Sequence, residues 1–220
     1  MFAKQFVSNE IFPLKKSDSA ESALLFMEDW LVKELPIVES GKVLGLVRKA
    51  MLLDNDDKRI DQIMDLHIDS FVVNEFTHLF DLMKQMNQYE LNTLAVLGSD
   101  QQYIGIVCAK DLSNYAFAHS ALVQEGSVLV IEVSAIHYSL AEISRICESN
   151  DAKIIHLMIE NLKDENNTLL VSIKLNKQYL THVIASLERF SYKIVYTNSP
   201  TDPNNSLDDR YNWLVKYLNT

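Results

Sequence analysis

The first half of this 220-residue chain repeats itself, and that repeat limits the folds open to it more than any other feature. Residues 19–31, SAESALLFMEDWL, place Ala20, Ala23, Leu24, Met27 and Leu31 at helical spacing, the stripe of an amphipathic helix. Asp18 and Ser19 offer caps before it. ELPIV (34–38), a turn at ESGK and VLGLV (43–47) then read as a hairpin of two β-branched strands. Residues 77–89 begin the plan again, with Thr77 as cap and Leu79, Leu82, Met83 and Met86 as stripe; TLAVL (93–97), a turn at GSDQQ and YIGIV (103–107) follow. The helices are offset by 58 residues and the second strands by 60, from Gly45 to Gly105, the longer second turn absorbing the difference. A helix follows each hairpin, RKAMLLD and AKDLSNYAFAHSAL, so each copy reads β-α-β-β-α. One such unit cannot bury its own apolar faces, and the two copies are expected to pack together.

Residues 126–196 follow a different plan. GSVLVIEV is a strand, Ser139 and Glu142 open the helix LAEISRICES with capping-box spacing, and Leu140, Ile143 and Cys147 share its apolar face. KIIHLMIE and TLLVSIKL are strands joined by a turn at DENN; QYLTHVIASLERF is a helix with Leu180, Val183, Ile184 and Leu187 as stripe; YKIVY closes the set. The order β-α-β-β-α-β is the ferredoxin-like arrangement, and the fold class is α+β. TNSPTDPNN reads as a linker. Ser206 then caps an amphipathic segment, LDDRYNWLVKYL, expected to dock because about three turns are marginal in isolation.

Composition narrows the function. Twenty basic against thirty acidic side chains give a net charge of −10, which opposes nucleic-acid binding. No window approaches the ~18 apolar residues of a membrane span, and the N-terminus lacks the pattern of a secretory signal. Cys108 and Cys147 have no metal-ligand spacing and read as small buried side chains, which fits the cytoplasm. The six histidines are scattered singly, no HExxH, GxSxG or phosphate-cradling glycine loop occurs, and Asp54, Asp56 and Asp57 lack the rest of a calcium loop. No catalytic constellation is legible.

The repeat resembles a tandem pair of CBS (cystathionine-β-synthase-type) domains. The matching residues in the first copy are Leu14, Asp18, Ser19, Ala23, Leu24 and Met27, then Leu35-Pro36-Ile37-Val38 and Gly45-Leu46-Val47. In the second they are Asp61-Gln62-Ile63-Met64, Thr93-Leu94-Ala95-Val96, Gly105-Ile106-Val107 and Asp111. Residues 126–197 resemble an ACT domain, a regulatory module that often binds amino acids and dimerises. The whole order is similar to that of the accessory proteins named for acetoin utilisation. The implied boundaries are 1–60 and 61–122 for the two repeats, 126–197 for the ACT-like domain and 198–220 for linker and terminal helix.

The resemblance implies an adenine-nucleotide sensor. In nucleotide-binding CBS pairs a Ser or Thr after the second hairpin strand approaches a phosphate, and an Asp three residues on accepts from the ribose diol. Here Gly105–Asp111 keeps the Asp and puts Cys108 where the hydroxyl would be; Gly45–Met51 keeps neither. That leaves one site, near Asp111, Cys108 and the backbone of Thr93 and Leu94, with Arg48 as a source of phosphate charge. Two readings stay open for Asp111, ribose acceptor or N-terminal cap of the next helix, and two for Arg48, ligand group or exposed helix start. The ACT-like turn Ser134–Ser139 has Ala135 and Tyr138 where ligand-binding members carry Asp and Gly, which argues against an amino-acid pocket. The expected protein is non-catalytic, a cytoplasmic homodimer that senses AMP, ADP or another adenosine compound, or alternatively a dimerisation or docking module with decayed pockets.

Overall fold

The computed structural model describes residues 1–200 except 56, 120 and 165, so the expected helix after Ser206 lies outside the described residues. The chain forms two compact units, Met1–Ala116 and Phe117–Thr220. Both mix helices with mainly antiparallel sheet, an α+β architecture.

In the first unit, helix α1 (Ala20–Asp29) precedes strands β1 (Glu34–Glu39) and β2 (Lys42–Arg48) and the short helix α2 (Lys49–Leu53). The second repeat runs β3 (Val72–Asn74), α3 (Leu79–Tyr89), β4 (Thr93–Leu97), β5 (Tyr103–Cys108) and α4 (Ala109–His119). β3 pairs in parallel with β4. Its counterpart in the first repeat is a single parallel bridge from Leu14 to Ile37, too short to form a strand. The two hairpins match in detail, each with a register shift at the same place, Ile37/Val38 and Val96/Leu97.

The repeats are built through one another. The segment before β3 bonds to the first repeat, with Leu46 N–H donating to Asp65 O and Asp65 N–H to Leu46 O, both at 2.8 Å. The segment before α1 bonds to the second repeat, Ser8 N–H donating to Ile106 O at 2.8 Å. The cores are exchanged likewise. Leu46, Ala3 and Phe6 pack with β4, β5 and α3, whereas Ile106 and Ile60 pack with α1 and β1. Gly45 and Gly105 make the crossings possible: a Cβ on Gly45 would stand 2.6 Å from Asp65 O, and one on Gly105 would stand 2.4 Å from Val7 Cγ1 and 2.9 Å from Ser8 O. Gly105 also has φ +143°, which side-chain-bearing residues rarely adopt.

Local signals place the helices, with exceptions. Ser19 caps α1 by accepting from Ser22 N–H. At α3 the cap is His78, whose ring accepts from Phe80 N–H, and not Thr77; Leu79 N–H meanwhile donates to Met1 O, so the N-terminal segment fixes where the helix begins. Of the expected stripes, Leu31 and Met83 are exposed, Leu31 because the chain has already left the helix and turned at φ 53°.

The second unit is a four-stranded antiparallel sheet in the order β7-β8-β6-β9, from β6 (Ser127–Ser134), β7 (Ile154–Asn161), β8 (Thr168–Leu175) and β9 (Lys193–Thr197). Helices α5 (Leu140–Glu148) and α6 (Thr181–Arg189) cover one face. Leu129, Ile131, Val171 and Ile173 alternate onto that face against Ile143, Cys147, Val183 and Leu187, so period-two strands meet period-3.6 helices. Ile146 takes the buried place expected for Leu140, which is exposed at the start of α5. No helix among the described residues is long and apolar enough to cross a membrane.

Candidate functional site

In the first unit a cavity of about 300 Å³ opens where three pieces of chain converge. Ser8, Glu10 and Ile11 come from the segment that crosses over Gly105; Trp30, Leu31 and Val32 come from the exit of α1; Asn92 and Cys108–Asp111 come from the two ends of the β4–β5 hairpin. Sequentially remote segments meet because Thr93 and Cys108 are directly paired across that hairpin.

Asp111 is the third residue of α4 and is exposed. Its carboxylate has no hydrogen bond among the described residues, so it is an acceptor open to solvent and to anything in the cavity. Cys108 stands just before the helix and is nearly buried; burial, with the charges of Asp111 and Glu34 behind it, pushes its thiol up to about 12. Cys108 is therefore a neutral thiol at physiological pH and not a nucleophile. Cys147, buried in the second unit, is pushed up to about 11 by the same cause. Lys110 and the N-terminal end of α4 put positive charge beside Asp111, with the Ala109 N–H already donated to Asn92 O. Trp30, 38% exposed, adds a large flat ring to the lining.

Of the residues singled out from sequence, Cys108 and Asp111 line this cavity. Thr93 lies behind the wall: its N–H donates to the Glu34 carboxylate at 2.6 Å and its hydroxyl to Glu34 O at 3.0 Å. Leu94 is fully buried in the core. Arg48 occupies the equivalent of Cys108 in the first repeat, and its charge lies toward Glu34 and Asp65. Asp65 is held below the usual carboxylate range, chiefly by the His67 backbone N–H and then by the His67 ring. Sequence reasoning missed Trp30, Asn92 and Glu34. Glu34 had a signal, a carboxylate opening an otherwise apolar strand.

A second cavity, about 450 Å³, lies in the second unit at the turn after β6. Its polar groups are engaged with one another: Ser134 Oγ with His137 Nδ1 at 2.9 Å, Tyr192 OH donating to Glu142 at 2.9 Å, and Glu132 paired with Lys193 at 2.9 Å. Burial and the Glu142 carboxylate push the Tyr192 phenol up to about 12. No cluster of His, Cys, Asp or Glu suited to a metal ion occurs among the described residues.

Residues 61–117 match the CBS domain family. With the α-β-β-α order repeated in residues 1–60, this supports a CBS domain pair. The chain is similar to an inosine-5'-monophosphate dehydrogenase of Korarchaeum cryptofilum, 26% identical over 112 residues, half of this chain and 23% of that protein. It spans less than half the length of the curated relatives it matches, 23% and 41%. Among solved structures, it is similar to a CBS domain pair/ACT domain protein of Thermotoga maritima (22% identity, 56% of this chain and 100% of that one, TM-score 0.48). It is also similar to the Arabidopsis thaliana CBS-pair protein CBSX2 in complex with AMP (21% identity, 53% of this chain and 96% of that one, TM-score 0.48).

Proposed function

We propose that this protein is a non-catalytic, cytoplasmic regulator whose paired repeats sense an adenosine compound (adenosine, AMP or ADP) in the cavity beside Asp111. The observation that supports it most directly is the unengaged Asp111 carboxylate facing a cavity that also offers Trp30. A carboxylate accepts both hydrogen bonds of a ribose diol, an indole stacks on a base, and Lys110 with the start of α4 favours a short phosphate chain. Thr93 and Leu94 act from beneath the wall, and Arg48 contributes charge from the first repeat. Glu10 and the net charge of −10 weigh against a triphosphate. Thermal shift and calorimetry with adenosine, AMP, ADP and ATP test this: a ligand held by the native state raises the midpoint. Asp111→Ala is expected to weaken binding about ten-fold, near 1.4 kcal/mol. No heat with any adenine compound would sink the proposal.

A second reading, dimerisation or partner docking, draws on the second unit, which we take to be ACT-like over 126–197 within the architecture of the acetoin-utilisation accessory proteins. Across the sheet from its helices, Met158 and Tyr196 are 57% and 55% exposed, paired with Ser172 and Val130 on that same face. A homodimer formed through this half is the expectation. Light scattering that returned the 25.2 kDa monomer mass at micromolar concentration would refute it.

A further inference from the structure

Glu34 is 2% exposed and opens β1 of the first repeat. Its Oε1 accepts from the backbone N–H groups of Asn92 and Thr93 and from the Thr93 hydroxyl, all in the second repeat. The grip is reciprocal. Asn92 Oδ1 accepts from Lys33 N–H at 3.1 Å, and Thr93 Oγ1 donates to Glu34 O. Lys33 and Asn92 occupy matching places in the two repeats, as do Glu34 and Thr93, so these bonds cross between the hairpins where the repeats meet. Asn92 is also a wall residue of the cavity, and Thr93 is paired with Cys108, another. The carboxylate thus stands one residue behind the wall and is bonded to the backbone that forms it.

We propose that Glu34 is the positioning residue of the cavity: a carboxylate supplied by the first repeat sets the Asn92–Thr93 backbone, and through it Cys108 and Asp111, so that ligand affinity depends on a proton-sensitive bond between the repeats. The inference rests on the reading of this cavity as the ligand site. Hydrogen bonds from backbone N–H groups to a carboxylate are stronger than to a neutral acceptor. Protonating Glu34 weakens the grip without removing the acceptor. The groups that face it are Arg48 from β2, which favours the charged form, and Cys108 from β5, which is neutral. Burial is the largest influence and raises the carboxyl above its ordinary value.

The test uses the full chain and two variants, E34Q and E34A. In ligand-free protein, the amide proton resonances of Asn92 and Thr93 are expected to titrate together as the pH is lowered, and not to titrate in E34Q. E34A is expected to shift the amides of Cys108 to Asp111, with E34Q restoring them toward wild type. With adenosine and AMP as probes, E34A is expected to bind at least ten-fold more weakly and E34Q within about three-fold, without the wild-type loss of affinity on acidification. Amides of Asn92 and Thr93 that do not titrate, or Cys108–Asp111 amides unmoved in E34A, would overturn the inference whether or not a ligand binds. Absence of adenosine and AMP binding in wild type, with the amide results as expected, would instead overturn the ligand assignment.

Discussion

At the junction between hairpin and following helix, the first repeat reads Arg48-Lys49-Ala50-Met51 and the second Cys108-Ala109-Lys110-Asp111. The backbones correspond closely: Lys49 N–H donates to Lys33 O at 2.7 Å, and Ala109 N–H to Asn92 O at 2.8 Å. The side chains have diverged. Lys49 is tied to Glu28 at 3.0 Å, and Met51 brings no acceptor to the place where Asp111 stands open. Behind the junctions the divergence runs the other way, because the first repeat supplies the buried carboxylate of Glu34 and the second only the Thr93 hydroxyl. The two repeats share the crossings that hold the pair together and differ in polar equipment: the second carries the exposed acceptor, the first the buried clamp.

The shared part of that comparison is the most costly to break. Gly105→Ala puts a methyl group into Val7 and the Ser8 carbonyl at a positive φ, and Gly45→Ala puts one into the Asp65 carbonyl without the φ penalty. Strain and overpacking of ~1–3 kcal/mol each predict a loss of about 3 kcal/mol for Gly105→Ala and about 2 kcal/mol for Gly45→Ala. Urea unfolding measures both. Losses under about 1 kcal/mol would mean that the crossing segments are not held as described.

The sequence made the repeat legible because its signals are local. Helical stripes, β-branched runs and glycines recur at fixed offsets, and all six strands and helices of the second unit's plan emerge at or near their expected positions. The clamp was not legible in the same way. Glu34 and Thr93 are 59 residues apart, and only the crossing of the chain brings a carboxylate to two backbone N–H groups that carry no side-chain signature. The cavity is similar: Asp111 was visible through a motif, but Trp30 and Glu10 join it from segments that no spacing rule connects to it. Leu31 and Leu140 depart from their stripes because both stand at helix margins, Leu31 beyond the end of α1 and Leu140 at the first residue of α5, where the side chain is off the buried face.

The divergent part can be sharpened by pH. Glu34 has a folded-state pKa raised above its unfolded value, chiefly by burial. The folded protein therefore binds the proton more tightly than the unfolded chain does. The resulting stabilisation is complete below the unfolded value and is lost as pH rises through the folded one. In E34Q the group does not titrate. The difference in melting midpoint, wild type minus E34Q, should therefore fall steadily as pH is raised from about 4 toward neutrality. A difference that stayed flat, or rose with pH, would show that the carboxylate's hydrogen bonds and Arg48 outweigh its burial.

The smallest effect belongs to the first repeat's own junction. Lys49 and Glu28 form an ion pair at 3.0 Å between α2 and α1, with side chains 36% and 52% exposed. Exposed pairs of this kind contribute ~0–1 kcal/mol, because solvent screens the charges and two long side chains lose freedom. Lys49→Ala should change stability by about 0.5 kcal/mol or less, with a weaker effect in high salt. It should also leave adenosine binding unchanged, since Lys49 does not line the cavity beside Asp111. Titrating the variant with adenosine decides the point. A several-fold loss of affinity would mean that the first junction takes part in binding after all, and that the two copies have diverged less in function than in side chains.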